Sequence, residues 1–522
     1  MSAPAPQTPT APEYTAPLSN VVIALFLITS AVVATFAVSS QSFWLEEGQS
    51  LLSAMARSPY EAWYYAHAVG LPALHYPLYQ IWLYLWHHLF GSSEWAMRAS
   101  NIPWFLGAQL AFLLLLRHRP LLALSAATLA AVSPLLWNFL DEARPQLMGY
   151  AAACWLTAAL IRLAPPGYTV NDPAPSLRYL PATIGAALVI LFTYGLVGSL
   201  WAAGFLAVFL WIKNDRQPLT PRDLLLPAVY LPLAAAALVG LWYLYTWPGI
   251  VDGHAGLKNF AQGLIYIAYD FFGFAGFGPG KIELRLSPRR AALASLPALL
   301  PLALVLGLLL LRGWKIFGPQ LIAARRSLLP WALALAVPAI ILLVILLLTG
   351  HRPLPRHFLP AFPALIAVLA ALTAANLQRP QTLWRAVTIL LPLLWLGSSI
   401  NLRWRETHAK DDYRTAAAIA RAALQENKEV WWAADAATGF IYLNAIAMEE
   451  TPGRAWAMQG PDWDALRFKL PPRVIIISKP DIFDPRAAIA RYAAENHFQP
   501  ALQLQAFTIF TRPDDPLPAP AP

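Results

Sequence analysis

Long apolar runs separated by short polar connections dominate the chain. Residues 20–40 contain no charged side chain, and about 20 such residues suffice to cross a bilayer. Similar runs follow at 98–116, 121–138, 146–163, 180–197, 199–212, 224–246, 291–311, 328–349, 358–376 and 386–400, so the pattern predicts an α-helical polytopic membrane protein of about eleven spans. Cations gather in alternate connections: Arg117 to Arg119, Arg162 and Arg178, then Lys213, Arg216 and Arg222. Further along come Arg312, Lys315, Arg325 and Arg326, then Arg379 and Arg385. Basic loops stay cytoplasmic, which places the N terminus inside and the last span's exit outside.

Between 41 and 97 the pattern changes to aromatics among polar groups, including Tyr60, Trp63, Tyr64, Tyr76, Tyr79, Trp82 and Trp86. Such rings favour the headgroup level, so this outer loop reads as interfacial helices. After 400 the pattern is that of a water-soluble α/β unit. Thr415–Leu424 and Pro485–Asn496 have helical spacing, and 430–434, 473–478 and 506–510 read as strands. The expected organisation is a disordered cytoplasmic tail at 1–19, a membrane domain at 20–400, an extracytoplasmic α/β domain at 401–513 and a frayed tail at 514–522.

Composition sharpens this picture. The chain has 522 residues, 58% hydrophobic and 12% charged, against roughly 25% charged in soluble domains. The net charge of +9 is accounted for by topology, with no need of a nucleic-acid partner. The single cysteine, Cys154, allows no intramolecular disulfide. The first run is too long for a signal peptide and lacks a cleavage site, so it is expected to be retained.

Several charged groups fall on the predicted outer side. Glu46 and Glu47 follow the first run, and carboxylates beside lipid point to function by default, the plain alternative being a hydrated loop charge. Asp141-Glu142-Ala143-Arg144-Pro145 arrives on the same side. Two later outer loops carry Lys281, Arg285, Arg289 and Arg290, then His351, Arg352, Arg356 and His357. Cations where topology should leave few suggest an anionic ligand, whose phosphate oxygens guanidinium groups grip in pairs, or contact with anionic headgroups. Of these, Arg356 directly precedes an apolar span.

In order, these motifs resemble the GT-C membrane glycosyltransferases, specifically glycosyltransferase family 39, with the protein O-mannosyltransferases and the aminoarabinose transferases. The residues concerned are Trp44, Glu46-Glu47, His75-Tyr76-Pro77-Leu78-Tyr79, Leu89-Phe90-Gly91, Glu94, Arg98, Glu142-Ala143-Arg144-Pro145 and Arg356-His357-Phe358-Leu359-Pro360. The likeness covers residues 20 to about 400. Three positions depart from the family pattern: Glu46 stands where the family has Asp, Tyr76 replaces the first Pro of a Pro-Pro, and His357 replaces Tyr. A carboxylate moved by ~1 Å changes a reaction geometry, which suits a site reshaped for a different acceptor.

The resemblance implies an inverting transfer of a sugar from a polyprenyl-phosphate donor to a lipid, glycan or protein acceptor at the outer face of a bacterial cytoplasmic membrane. It implies Glu46, Glu47 and Glu142 as catalytic candidates, with Glu46 the general base. Arg144, Arg356, Arg352, Lys281, His75, Tyr79 and His357 become candidates for substrate binding. No cofactor is required by these residues, and paired carboxylates stay compatible with a divalent metal. A transporter or lipid flippase is the competing class; the acidic groups lie at span ends, and no internal repeat is evident. A scaffold whose external domain binds partners is the third. The sugar, the acceptor and the oligomeric state have no signature in the sequence.

Overall fold

The computed structural model describes residues 16–68, 72–164, 179–246, 257–323, 325–448, 451–458 and 471–517. Most of both predicted tails, Arg178, and the side chains of Lys281, Arg285, Arg325 and Arg326 lie outside the described residues. Each predicted span overlaps a helix, with 121–138 falling on two and 180–197 running past the helix end at Thr193. Eight helices are long and apolar enough to cross a membrane, nine if the bent pair Pro120–Val132 and Pro134–Leu140 is one span. Ile102–Leu115 and Leu180–Thr193, at 14 residues each, are shorter apolar helices at the other two positions. Two runs that looked short, 199–212 and 386–400, belong to the longer helices Gly195–Arg216 and Thr382–Trp404, whose polar ends had hidden their length.

Basic side chains close helix ends on one side of the bundle. Arg216 donates to the carbonyl of Leu163 and Arg162 to that of Leu115 at 2.9 Å, the last residues of their helices, while Arg117 holds the Leu18 carbonyl just ahead of the first helix. Cations at helix C-termini satisfy unpaired carbonyls and complement the helix dipole. Topology and capping thus use the same arginines.

At the opposite side the bent pair matters most. Pro134 has no N–H to continue the ladder, and the helix turns by 56° at Ser133. The short segment Pro134–Leu140 then delivers the turn 141–145 sideways, toward the start of the first outer loop. That loop forms the expected short helices: Leu45–Ala54, Pro59–Ala68, Pro72–His75, Pro77–Phe90 and Glu94–Ala99.

The C-terminal unit is a six-stranded sheet: β1 (Val430–Ala433), β2 (Ile446–Ala447), β3 (Ala455–Ala457), β4 (Val474–Ser478), β5 (Gln499–Leu504) and β6 (Phe507–Thr511). Their spatial order is β2-β3-β1-β4-β6-β5. Strands β2, β3, β1 and β4 run parallel, while β6 and β5 are antiparallel additions. Every residue of β1 and β4 is buried, as both faces are covered: Tyr413, Trp432 and Phe507 pack on one, Trp431, Ile475 and Ile489 on the other. The sheet sits on the first outer loop. Gly48 lets it approach so closely that a Cβ there would stand 1.9 Å from Thr438 Oγ1. Tyr442 accepts the Phe43 N–H at 2.7 Å and donates to Glu94 at 2.9 Å.

Candidate active site

Helix Leu45–Ala54 opens with both glutamates in its first turn, where the dipole favours anions. Consecutive residues on a helix point about 100° apart, and the two glutamates accordingly meet opposite surroundings. Glu46 is about a quarter exposed (26%) and faces a cavity; Glu47 is fully buried.

Glu47 accepts from Arg98 through both oxygens, at 2.8 and 2.6 Å. It also takes the Ala143 N–H at 2.9 Å and, as a helix cap, the Trp44 N–H at 3.3 Å. Burial alone would raise its pKa, but the charges of Arg98 and Lys410 and these hydrogen bonds hold it at about 2. Arg98, equally buried, spends its remaining donors on the Ser39, Gln41 and Ser42 carbonyls and the Ser39 hydroxyl. Asp141 accepts from the Ser39 N–H at 2.5 Å and its hydroxyl at 2.9 Å. The result is a buried polar frame joining the end of the first span, helix Glu94–Ala99 and the 141–145 turn.

That frame aims Arg144. The turn is pinned by the Ala143 N–H on Glu47, by Asn101 donating to the Glu142 carbonyl, and by the Arg144 N–H on Glu142 O at 2.7 Å. Arg144, nearly buried, then donates to Glu46 Oε2. Arg356, from the start of the span at 355, reaches the same oxygen at 2.5 Å. Residues 46, 144 and 356 thus converge from three distant segments on one carboxylate.

The cavity in front of Glu46 has a volume of about 730 Å³, within the range of small-molecule sites. Glu46, Glu142, Arg352 and Arg356 line it together with Trp44, Asn138, Tyr266, Tyr269, Asp270 and Asp481. Asn138 donates to Glu142 at 3.0 Å, and Arg352 lies over the Tyr266 ring at 4.5 Å. His75, Tyr79 and His357 are not among the lining residues. The His75 ring stands edge-on to Tyr243 at 5.5 Å, and its carbonyl accepts from that residue's hydroxyl. Tyr79 is buried and bonds Asn101 at 3.4 Å; His357 offers Nδ1 to the Leu354 N–H at 3.4 Å. The side chain of Lys281 lies outside the described residues. Among the described residues no three His, Cys, Asp or Glu side chains cluster as a metal site would.

Several neighbours had no signal as site residues. Tyr266 and Tyr269 belong to the amphipathic helix Leu257–Phe271, in the connection that follows helix Pro227–Thr246, where only helical periodicity could have placed them. Lys410 and Lys479 come from the C-terminal unit. The Lys479 ammonium pairs with Asp411 and sits 5.5 Å from the Trp44 ring.

The sequence matches no family model and no curated protein. Among solved structures, the chain is similar to ArnT from Cupriavidus metallidurans in the apo state, with TM-score 0.53 and 14% identity over 94% of this chain and 97% of that one. The same ArnT bound to undecaprenyl phosphate gives 0.48 at 14% identity, covering 94% and 98% of the two chains. The arabinofuranosyltransferase AftD from Mycobacteria gives 0.40 at 15% identity, covering 95% of this chain and 40% of that one. The chain therefore has a GT-C-like fold: a polytopic bundle of membrane helices, interfacial helices after the first span, and a small C-terminal sheet domain.

Proposed function

We propose that this chain is a membrane glycosyltransferase that moves a sugar from a polyprenyl-phosphate donor to an acceptor at the outer face of the cytoplasmic membrane. The observation that carries the reading is Glu46, shared by Arg144 and Arg356 at the wall of the cavity. Arg356, with Arg352 beside it, is assigned to the donor phosphate, which guanidinium groups bind through paired hydrogen bonds. A lipid-linked donor needs a groove reachable from the bilayer, and a polytopic helix bundle puts the site beside one.

Glu46 is assigned as the general base. An acceptor hydroxyl or amine attacks the anomeric carbon, its proton passes to Glu46, and the bond to the phosphate oxygen breaks with both electrons leaving on polyprenyl phosphate. Attack opposite to the leaving group inverts the anomeric centre. Glu46 held by two arginines is a weak base; donor phosphate drawing either guanidinium away strengthens it at the moment it is needed. Glu142 is assigned to the sugar or acceptor. Glu47 acts behind Glu46 by fixing the turn that carries Arg144, and His75, Tyr79 and His357 pack the walls.

The test is release of polyprenyl phosphate by the purified protein in nanodiscs, given a polyprenyl-phosphate sugar and cell-envelope extract as acceptor. Loss of a general base costs roughly 10²–10⁴-fold and of a charge-stabilising donor about 10²–10³-fold. Glu46→Gln and Arg356→Ala should each fall in those ranges; release unaffected by both would refute the assignment.

A further inference from the structure

Behind the cavity lies a smaller one of about 110 Å³, sharing Trp44, Asn138, Glu142, Leu402 and His408 with it. Into it projects Lys410, from the segment that leads out of the last span toward the sheet domain. Its side chain is only 14% exposed. Its ammonium stands 3.5 Å from Glu47 Oε2 and 3.5 Å from Asp141 Oδ2, and donates to the Asp141 carbonyl. Its backbone N–H donates to Gln41 Oε1 at 2.8 Å. All of these attachments belong to the frame that sets the 141–145 turn, and Arg144 leaves that turn to meet Glu46.

We propose that Lys410 is a positioning residue: its ammonium holds Glu47 and the Asp141–Arg144 turn in register, so the docked sheet domain completes the geometry around Glu46. It does not line the larger cavity, so it acts through Glu47 and Asp141 and touches no substrate. The proposal rests on the transferase reading only where turnover is the readout.

The charged groups around this ammonium are Glu47, Arg98, Asp141 and Glu142, with Arg403, His408, Asp411 and Lys479 lining the same small cavity. Burial, then repulsion by Arg98, brings the Lys410 pKa below that of an ordinary lysine, against the pull of Asp141, Glu47 and Glu142. Between that lowered value and the usual 10.5, the unfolded chain binds more protons than the folded one, so Lys410 makes the fold relatively more stable as pH rises. Over the same window its grip on the two carboxylates is lost. A positioning role therefore predicts turnover that falls while the melting midpoint holds, whereas turnover lost by unfolding would fall only together with the midpoint.

The experiment compares the full-length protein, Lys410→Arg and Lys410→Met in nanodiscs. Lys410→Met should lower kcat by roughly 10- to 100-fold, the scale of a misplaced catalytic group, with donor KM unchanged and no alkaline fall. Lys410→Arg should keep activity and carry that fall to higher pH. Hydrogen exchange gives a readout independent of turnover: Lys410→Met should speed exchange in 141–145 and leave helix Tyr413–Gln425 unchanged. Wild-type exchange in 141–145, or acceleration equal in both segments, overturns the proposal. A wild-type protein that releases no lipid phosphate defeats the transferase reading, and the exchange result still decides Lys410.

Discussion

Replacing Glu47 by Gln keeps the shape of the side chain and removes its charge from a fully buried site. In the folded protein the Glu47 pKa is about 2 against an ordinary 4.5. At roughly 1.4 kcal/mol per pKa unit, the charge contributes on the order of 3 kcal/mol at neutral pH. The variant also leaves Arg98 buried with Asp141 as its next carboxylate, 4.0 Å away. Breaking one side of a buried pair costs about 3–5 kcal/mol, while replacing both partners by apolar groups is often neutral. Glu47→Gln should therefore lower the thermal midpoint in nanodiscs by ~5 °C, and the double variant Glu47→Gln/Arg98→Met should recover much of it. The sign with pH follows from a depressed carboxylate: the contribution is fully present above 4.5 and is lost as pH falls toward 2. Wild type should lose stability through that window and Glu47→Gln should lose distinctly less. Equal midpoints for wild type and Glu47→Gln at pH 7, or parallel acid curves, would refute the claim that this buried charge holds the loop.

Two contrasts test the docking of the sheet domain. Gly48→Ala places a methyl 2.6 Å from the Thr438 Cα; since backbone must move, a cost of about 1–3 kcal/mol is expected, read as a lower midpoint and faster proteolytic cleavage between residues 404 and 413. Arg414 pairs with Glu94 at 2.5 Å, but its side chain is half exposed, so Arg414→Ala should cost under about 1 kcal/mol by the same melting assay despite the short distance.

The membrane spans were legible because a bilayer imposes one long, uniform requirement on each of them, and the first outer loop because its aromatics repeat. Short strands were not. β2 and β3 have two and three residues, and β5 is exposed along most of its length with Pro500 inside it, which suits an edge and carries little pattern. Within the site, sequence order brought Glu46, Arg144 and Arg356 together as a group, since each lies where a span meets the outer side. The difference between Glu46 and Glu47 was invisible. It depends on the rotation of one helix turn against Arg98, 51 positions away, and adjacency in sequence says nothing of that. Lys410 was hidden differently: in the charged stretch 403–414 it reads as a solvated linker, and only the docked domain buries it.

A carboxylate held by two guanidinium groups and a base ready to take a proton are opposing conditions, and the placement of the two glutamates reconciles them. Glu47 is locked by donors that no substrate can reach, so its charge is permanent and its work is mechanical. Glu46 meets Arg144 from a braced turn and Arg356, which lines the cavity at the head of a span. In the proposed reaction an incoming phosphodiester competes for Arg356, which reaches Glu46 from a different segment than the frame around Glu47. The energy of that exchange stays small, because one anion replaces another on the same cation. In the proposed reaction, Arg356 turning to the phosphate leaves Glu46 free to take the acceptor's proton. Exchanging the roles of the two adjacent residues would place the permanent ion pair at the cavity and the responsive one in the core, where it could neither meet a donor nor release a proton.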